Sequence, residues 1–166
     1  IKDWTHVNDV DFIPGAESWF SLGLLQTRED VADDGRGYIR RPSDQLVHLG
    51  VFFQDHLPND PTMRVYLSLL YGSGLPFGPP NNDQNRNAFN GPDYKRVDLG
   101  FSKEIRLNQD KQNSFFQSLW IGLEVLNALQ AGNVISFTWV ENVRNQQIAV
   151  PNRLSARFIN LNVVVR

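Results

Sequence analysis

Cysteine is absent from this sequence, and so are long apolar runs and any large excess of charge of one sign. Without cysteine the chain has no disulfide framework, no thiol nucleophile and no cysteine-based zinc site. A formal net charge of -2 gives no basic surplus for gripping a phosphate backbone, so nucleic acid is not an expected partner. The lack of any run of about 18 apolar residues excludes a membrane helix but not a membrane strand, whose alternating residues cancel in a hydropathy average.

What the sequence does have is enough apolar content for one folded domain. Of its 166 residues, 41% are hydrophobic and only 20% are charged, which argues against intrinsic disorder. Neither an internal repeat nor a flexible linker divides the chain, so a second domain is not expected.

Polar and apolar residues alternate along most of the chain, and this period of two predicts β-strands. The fifth predicted strand also fits a helical spacing, but its central Gly122 costs less in a strand than in a helix. The prediction is therefore all-β, with about six long antiparallel strands in up-and-down order. The six predicted segments are Ser18–Thr27, Gln45–Asp55, Met63–Tyr71, Tyr94–Leu107, Ser118–Leu126 and Arg153–Arg166.

The connections between these segments alternate in length. His56–Pro61 and Asn108–Ser114 are short, whereas the intervening connections exceed about 12 residues, which is long for a compact domain unless the loops are functional. Short turns at one end and long loops at the other are typical of outer-membrane barrels. Inside the third long loop, Asn133–Val140 and Asn145–Val150 are expected to form a small hairpin.

Alternation alone does not decide where the apolar face points. A soluble sandwich or barrel turns it towards a core, whereas a membrane barrel turns it towards lipid. The loop asymmetry favours the membrane form, as do Trp19, Tyr71 and Tyr94 if they form an interfacial girdle at strand ends. Lys103 falls on the apolar face, which is tolerable only near the boundary at the short-turn end.

Four segments together resemble the C-terminal part of a TonB-dependent outer-membrane receptor, of the type abundant in Bacteroidetes. The most specific pieces are GLPFGPP, YKRVDLGFS and VPNRLSARFINL, and the resemblance covers roughly residues 17–166; residues 1–16 stay unassigned. The four segments are Phe52–Pro80, Pro92–Ile105, Leu123–Val140 and Val150–Arg166.

The resemblance implies a 22-stranded barrel that ends in the periplasm and follows a plug domain and a TonB-binding segment. Residues 1–166 would then be a C-terminal fragment without the plug, supplying the last strands of the wall and the extracellular loops. The implied function is active uptake of a scarce nutrient, such as a glycan, a peptide or a metal chelate, across the outer membrane. The implied partners are the rest of the same receptor, TonB through the missing N-terminal part, the lipid bilayer and, in some members, a surface lipoprotein.

No catalytic set is visible, so the chain is not expected to be an enzyme, and no cofactor is expected. His6, His48 and His56 lie too far apart in sequence for a local metal motif, so no metal site is predicted. Residues of the long loops that could stack on or hydrogen-bond a polar ligand are Phe77, Asn82, Asn85, Arg86 and Trp139. Charged residues expected to form a network on the lumen-facing side are Arg64, Arg96, Asp98, Glu104 and Glu124.

Two other functions stay open from the sequence. The chain could be a soluble β-sandwich that binds carbohydrate, with every apolar face buried inward. A small outer-membrane enzyme barrel ranks last, since it would have to close within 166 residues and would need a clustered catalytic set.

Overall fold

The computed structural model describes residues 9–12, 17–30, 35, 37–80, 82–106, 118–154 and 156–165. Within these residues the chain forms antiparallel β-structure with one short 3₁₀ turn, Asp83–Asn85, and no α-helix. The prediction of an all-β antiparallel fold is confirmed. In chain order the strands are β1 (Asp9–Phe12), β2 (Glu17–Leu24), β3 (Arg28–Asp30), β4 (Tyr38–Arg40), β5 (Val47–Leu57), β6 (Asp60–Gly72), β7 (Pro76–Phe77), β8 (Phe89–Asn90), β9 (Tyr94–Arg106), β10 (Ser118–Leu126), β11 (Val134–Glu141), β12 (Gln147–Arg153) and β13 (Phe158–Val165).

Seven strands form one antiparallel sheet in the order β1-β2-β5-β6-β9-β10-β13. The six predicted long strands are β2, β5, β6, β9, β10 and β13, and the ambiguous Ser118–Leu126 segment is a strand paired on both sides. The seventh, β1, comes from residues that the sequence left unassigned, and it pairs with β2. In the described part of the chain the sheet is open, with β1 and β13 each paired on one side.

The other six strands form three two-stranded hairpins, β3–β4, β7–β8 and β11–β12. They are inserted between β2 and β5, β6 and β9, and β10 and β13, so in an antiparallel meander all three lie at the same end of the sheet. At the opposite end, β5 and β6 are joined by two residues only, Pro58 and Asn59. The three long loops, the short connection within His56–Pro61 and the β11–β12 hairpin agree with the prediction; the second predicted short turn, Asn108–Ser114, lies outside the described residues.

Strand register divides the side chains of the large sheet between two faces. One face, here called the apolar face, carries continuous rows of hydrophobic residues across the strands. One such row, fixed by the pairing, is Phe53, Leu67, Leu99, Val125 and Ile159. The opposite face, here called the polar face, carries the charged and amide side chains together with glycines and a few large rings.

Among the residues that the structure describes, nothing covers the apolar face. None of the described hydrophobic residues is buried, so the described part of the chain has no hydrophobic core. At the centre of the sheet Leu99 is 44% exposed and Leu123 is 46% exposed, and on β13 the exposure of Leu161 rises to 65%. A sheet normally buries its apolar face against a second layer, and no such layer is present among these residues.

Lys103 interrupts the apolar face near the short-turn end. It pairs with Met63 across β6 and β9, and its Nζ lies 3.2 Å from Oδ2 of Asp60, which follows the Pro58–Asn59 turn. The Lys103 ammonium therefore lies at the short-turn end of the sheet, as the sequence predicts.

The predicted aromatic girdle is wrong for two of its three residues. Trp19 and Tyr94 lie on the polar face, because they share it with Phe52 and Gly72, to which they are paired. Only Tyr71 lies on the apolar face at the loop end, where its hydroxyl lies 3.0 Å from Oδ2 of Asp93.

Candidate functional site

The three hairpins contact one another and form a unit, here called the loop platform. The Arg86 guanidinium donates to Glu29 at 2.8 Å, which joins the second loop to the first. The Asn87 amide donates to the Arg40 carbonyl at 2.8 Å, and the Arg40 guanidinium bonds to Asn90. Long loops that would otherwise move independently are thus tied together by side-chain contacts.

A single asparagine anchors the third hairpin to the sheet. The side chain of Asn133 accepts from the Lys95 N–H at 2.8 Å and donates to the Lys95 carbonyl at 2.9 Å, so that it pairs with β9 as a backbone amide would. Its own carbonyl accepts from Leu154 N–H at 2.8 Å. Asn133 is only 4% exposed, and replacing it would leave buried polar groups unpaired.

Four aromatic rings meet where the second and third hairpins touch. Phe77 stacks on Phe137 with ring centroids 4.0 Å apart, and it also contacts Phe89 at 5.7 Å and Trp139 at 6.2 Å. The structure thus brings together Phe77 and Trp139 of the predicted binding residues. Sequence reasoning missed Phe89 and Phe137, although the alternation of β11 already places Phe137 and Trp139 on one face.

The aromatic cluster forms one wall of an open cleft of about 480 Å³, a size usual for small-molecule sites. Its other walls come from the base of the loops, including Leu75 and Ile135. None of the described residues that line the cleft carries a formal charge. Its polar lining includes Gln45, Ser73, Asn87, Tyr94 and Ser136.

Five charged side chains of the first two loops are paired with one another outside this cleft. Arg40 contacts Asp44 at 2.6 Å, and Asp44 is 4% exposed and also accepts from the Thr27 N–H at 2.7 Å. Glu29 takes two arginines, with Arg86 at 2.8 Å and Arg41 at 3.7 Å. The platform therefore carries ionic links at its periphery and an uncharged surface inside.

The remaining predicted loop residues do not line the cleft. Asn82 caps the 3₁₀ turn, its side-chain oxygen accepting from the Asn85 N–H at 3.2 Å. Asn85 is exposed beside it, and Arg86 is turned towards Glu29. In this structure Asn82 shapes the loop and Arg86 holds it to its neighbour.

The five predicted lumen residues all lie on the polar face, but they divide into local pairs. Arg96 bonds to Asp98 at 2.8 Å, and Asp98 also accepts from a backbone N–H at 2.7 Å. Arg64 pairs with Glu17 at 2.9 Å instead of with another predicted member. Arg64 and Glu124 both line a cavity of about 320 Å³. Their role in a transport path stays a prediction.

The last two predicted members have partners that sequence reasoning missed. Glu104 accepts from Arg106 at 3.2 Å, and Glu124 accepts from the Asn160 amide at 3.0 Å. Arg106 is two residues along the same strand, so the alternation places both on one face, whereas the Glu124–Asn160 pair follows from the register of β10 with β13.

Large rings on the polar face lie over glycines of the neighbouring strand. The Trp19 ring covers Gly50, where an added Cβ would come within 2.8 Å of it, and the Tyr66 ring occupies the position that a Cβ on Gly100 would need. Phe52 stacks between these rings, with centroids 6.1 Å from Trp19 and 6.3 Å from Tyr66. These rings leave no free space for a side chain at Gly50 or Gly100.

Side chains of the types that bind metal ions do not gather at a site in the described part of the chain. No three residues of the types His, Cys, Asp and Glu are grouped so that they could hold a metal ion there. His6 lies outside the described residues.

Comparison with protein-family models, with curated proteins and with solved structures gave no match. The residues that the structure describes contain no helix of the length and apolarity needed to cross a membrane. The two faces of the sheet and the loop platform are therefore the features of the molecule that bear on its function.

Proposed function

We propose that the seven-stranded sheet is part of the wall of a transmembrane β-barrel, with its apolar face towards lipid and its polar face towards the lumen. The observation that carries the proposal is the uncovered apolar face, which is continuous across the strands while no described hydrophobic residue is buried. Soluble proteins rarely expose contiguous apolar patches of more than a few hundred Å². Hydrocarbon chains of a bilayer are a solvent in which such a face is stable.

Strand length supports the same proposal. A strand tilted by about 45° needs about 9–11 residues to cross the hydrocarbon core. The central strands β5, β6 and β9 have 11, 13 and 13 residues, and β10 has 9. Lys103 is also compatible with lipid on this face, because the cost of a lysine falls to about 0–1 kcal/mol near the interface.

The receptor class is proposed from the sequence resemblance together with the position of the loops. The chain is proposed to belong to a TonB-dependent receptor of the outer membrane, which imports a scarce nutrient such as a glycan, peptide or metal chelate. The loop platform would face the outside and would contribute to capture of the ligand. Its partners would be the other strands and plug of the same receptor, TonB, the bilayer and a surface lipoprotein.

The alternative, a soluble carbohydrate-binding sandwich, requires a second layer over the apolar face. The aromatic cleft of the loop platform is compatible with that function, but the uncovered sheet is not, unless residues outside the described part cover it. The uncovered face therefore favours the barrel.

The intact mass of the native polypeptide and its cellular fraction test the proposal. We expect a chain several times heavier than 19.0 kDa, found in detergent-extracted outer membrane and not in the soluble extract. A 19 kDa protein that stays monomeric in plain buffer would refute the barrel and favour the sandwich.

A further inference from the structure

The inside of the loop platform differs from its periphery in charge. The platform contains Arg40, Arg41, Arg86, Glu29 and Asp44, yet each of these contacts an opposite charge outside the cleft. A charged ligand entering the cleft would lose part of its hydration, and none of the described residues that line the cleft carries an opposite charge to replace it. The desolvation cost would therefore not be offset.

The polar groups in the cleft are held in fixed orientations. The Gln45 amide donates to the Ser73 carbonyl at 3.0 Å, and the Ser73 hydroxyl accepts from the Val47 N–H at 3.0 Å. The Asn87 amide is held by its bond to the Arg40 carbonyl. Side chains fixed in this way lose little conformational entropy when a ligand binds, so they favour hydrogen bonds of defined direction.

From these features we infer that the cleft binds an uncharged organic ligand that presents a flat ring or aliphatic face to the aromatic cluster and hydroxyl or amide groups to Gln45, Asn87 and Ser136. This inference rests on the proposed function, and it narrows the ligand: the part inserted into the cleft is neither a carboxylate nor a cation. Anionic chelates are excluded from this subsite by the same argument.

Three probes of similar size test the charge selectivity on the purified full-length protein: phenyl β-glucoside, phenyl β-glucuronide and the cation of phenyl 6-amino-6-deoxy-β-glucoside. We expect the glucoside to bind in calorimetry about tenfold or more tightly than the glucuronide, since the latter buries an unpaired carboxylate. The 6-amino-6-deoxy glucoside, which is an ammonium ion at neutral pH, is also expected to bind more weakly than the glucoside. Equal affinities, a preference for either ion, or no saturation by the glucoside would overturn the inference.

A lysine introduced into the cleft tests whether the probes bind there. Ser136 lines the cleft and is exposed, so Ser136→Lys should raise the affinity for the glucuronide about tenfold by supplying the missing partner. Thr138→Lys is the matched control, because Thr138 is exposed on the same hairpin and shares the Asn152 partner of Ser136, but does not line the cleft. An equal gain in both variants would place the probe elsewhere and overturn the assignment.

The two proposals fail in different ways. If the protein is found in the outer-membrane fraction but does not bind the glucoside, the barrel proposal stands and the ligand inference is wrong. If the protein is soluble, has a mass of 19 kDa and binds the glucoside selectively, the barrel proposal is wrong and the inference about the cleft stands.

Discussion

At the scale of single residues, glycine makes room for aromatic rings on the polar face. Gly50 and Gly100 lie beneath Trp19 and Tyr66, whereas Gly122 on the same face has only ordinary neighbours, the nearest being the Ser102 Cβ at 3.6 Å from an added Cβ. Glycine weakens a strand, so its presence at Gly50 and Gly100 is explained by the ring packed over it. At Gly122 the structure offers no such reason.

We expect Gly100→Ala to destabilise the fold by about 1–3 kcal/mol, because the new methyl group would displace the Tyr66 ring from its position. Gly122→Ala is the matched control and is expected to change the free energy of unfolding by less than about 0.5 kcal/mol. Thermal unfolding in one detergent or buffer measures both. Similar melting temperatures for the two variants would show that the Tyr66 ring adapts without cost.

Face assignments were the most predictable residue-level property, since they follow from a period of two. Lys103 illustrates this: the sequence placed it on the apolar face near the short turns, and the structure adds its partner, Asp60. The partner was not predictable, because it depends on the register between β6 and β9. The girdle prediction for Trp19 fails because nearness to a strand end does not decide the face, and the period of two puts this ring on the polar face, opposite Phe20.

At the scale of elements, the hairpins depend on a few contacts that join them to the sheet. The β11–β12 hairpin is held through Asn133, whose amide forms two bonds with Lys95 of β9. Asn152 lies within the same hairpin and bonds to Ser136 and Thr138. Asn133 thus anchors the hairpin to the sheet, whereas Asn152 makes its side-chain hydrogen bonds inside the hairpin.

Asn133→Ala should loosen the hairpin from the sheet, since the loss of two hydrogen bonds amounts to about 1–3 kcal/mol. Hydrogen–deuterium exchange over Val134–Arg153 is expected to accelerate by about tenfold or more, with the sheet amides of β5 and β6 unchanged. Asn152→Ala should alter exchange only inside the hairpin. A faster exchange of β5 and β6 in Asn133→Ala would mean that Asn133 supports the whole sheet.

The strands could be predicted from sequence and the cleft only in part. Alternation and loop length gave the six long strands and the hairpin, because both depend on residues close in the chain. The aromatic cluster joins residues 77 and 137, and only pairing through β9 and β10 brings them together. Phe77 and Trp139 were expected to bind ligand but not to touch each other, and Phe89 was not expected to contribute at all.

At the scale of the whole molecule, the two faces of the sheet differ in polarity. Rows of exposed hydrophobic residues cross β5 to β13 on one side, and ion pairs and amides occupy the other. In a bilayer, the cost of a charge on the lipid side depends on depth: it is about 2–4 kcal/mol at the midplane and about 0–1 kcal/mol near the interface. In a packed protein core, the cost of burying a charge does not follow the distance from a membrane surface in this way.

Leu123→Arg and Val47→Arg test this difference on one face. Leu123 lies mid-strand between Phe101 and Leu161, whereas Val47 begins β5 at the loop end. In phospholipid bilayers we expect a loss of about 2–4 kcal/mol for Leu123→Arg and about 0–1 kcal/mol for Val47→Arg. Equal losses at both positions, measured by chemical unfolding from the bilayer, would contradict a lipid-facing sheet.

The order of strands in the large sheet follows their order in the chain, and this has a consequence in time. Each strand of the sheet pairs with the sheet strand that precedes it and the one that follows, and the three small hairpins are complete within their own loops. A chain delivered from one end could therefore add one strand at a time to a single growing edge, and no strand would wait for a partner that is distant in sequence.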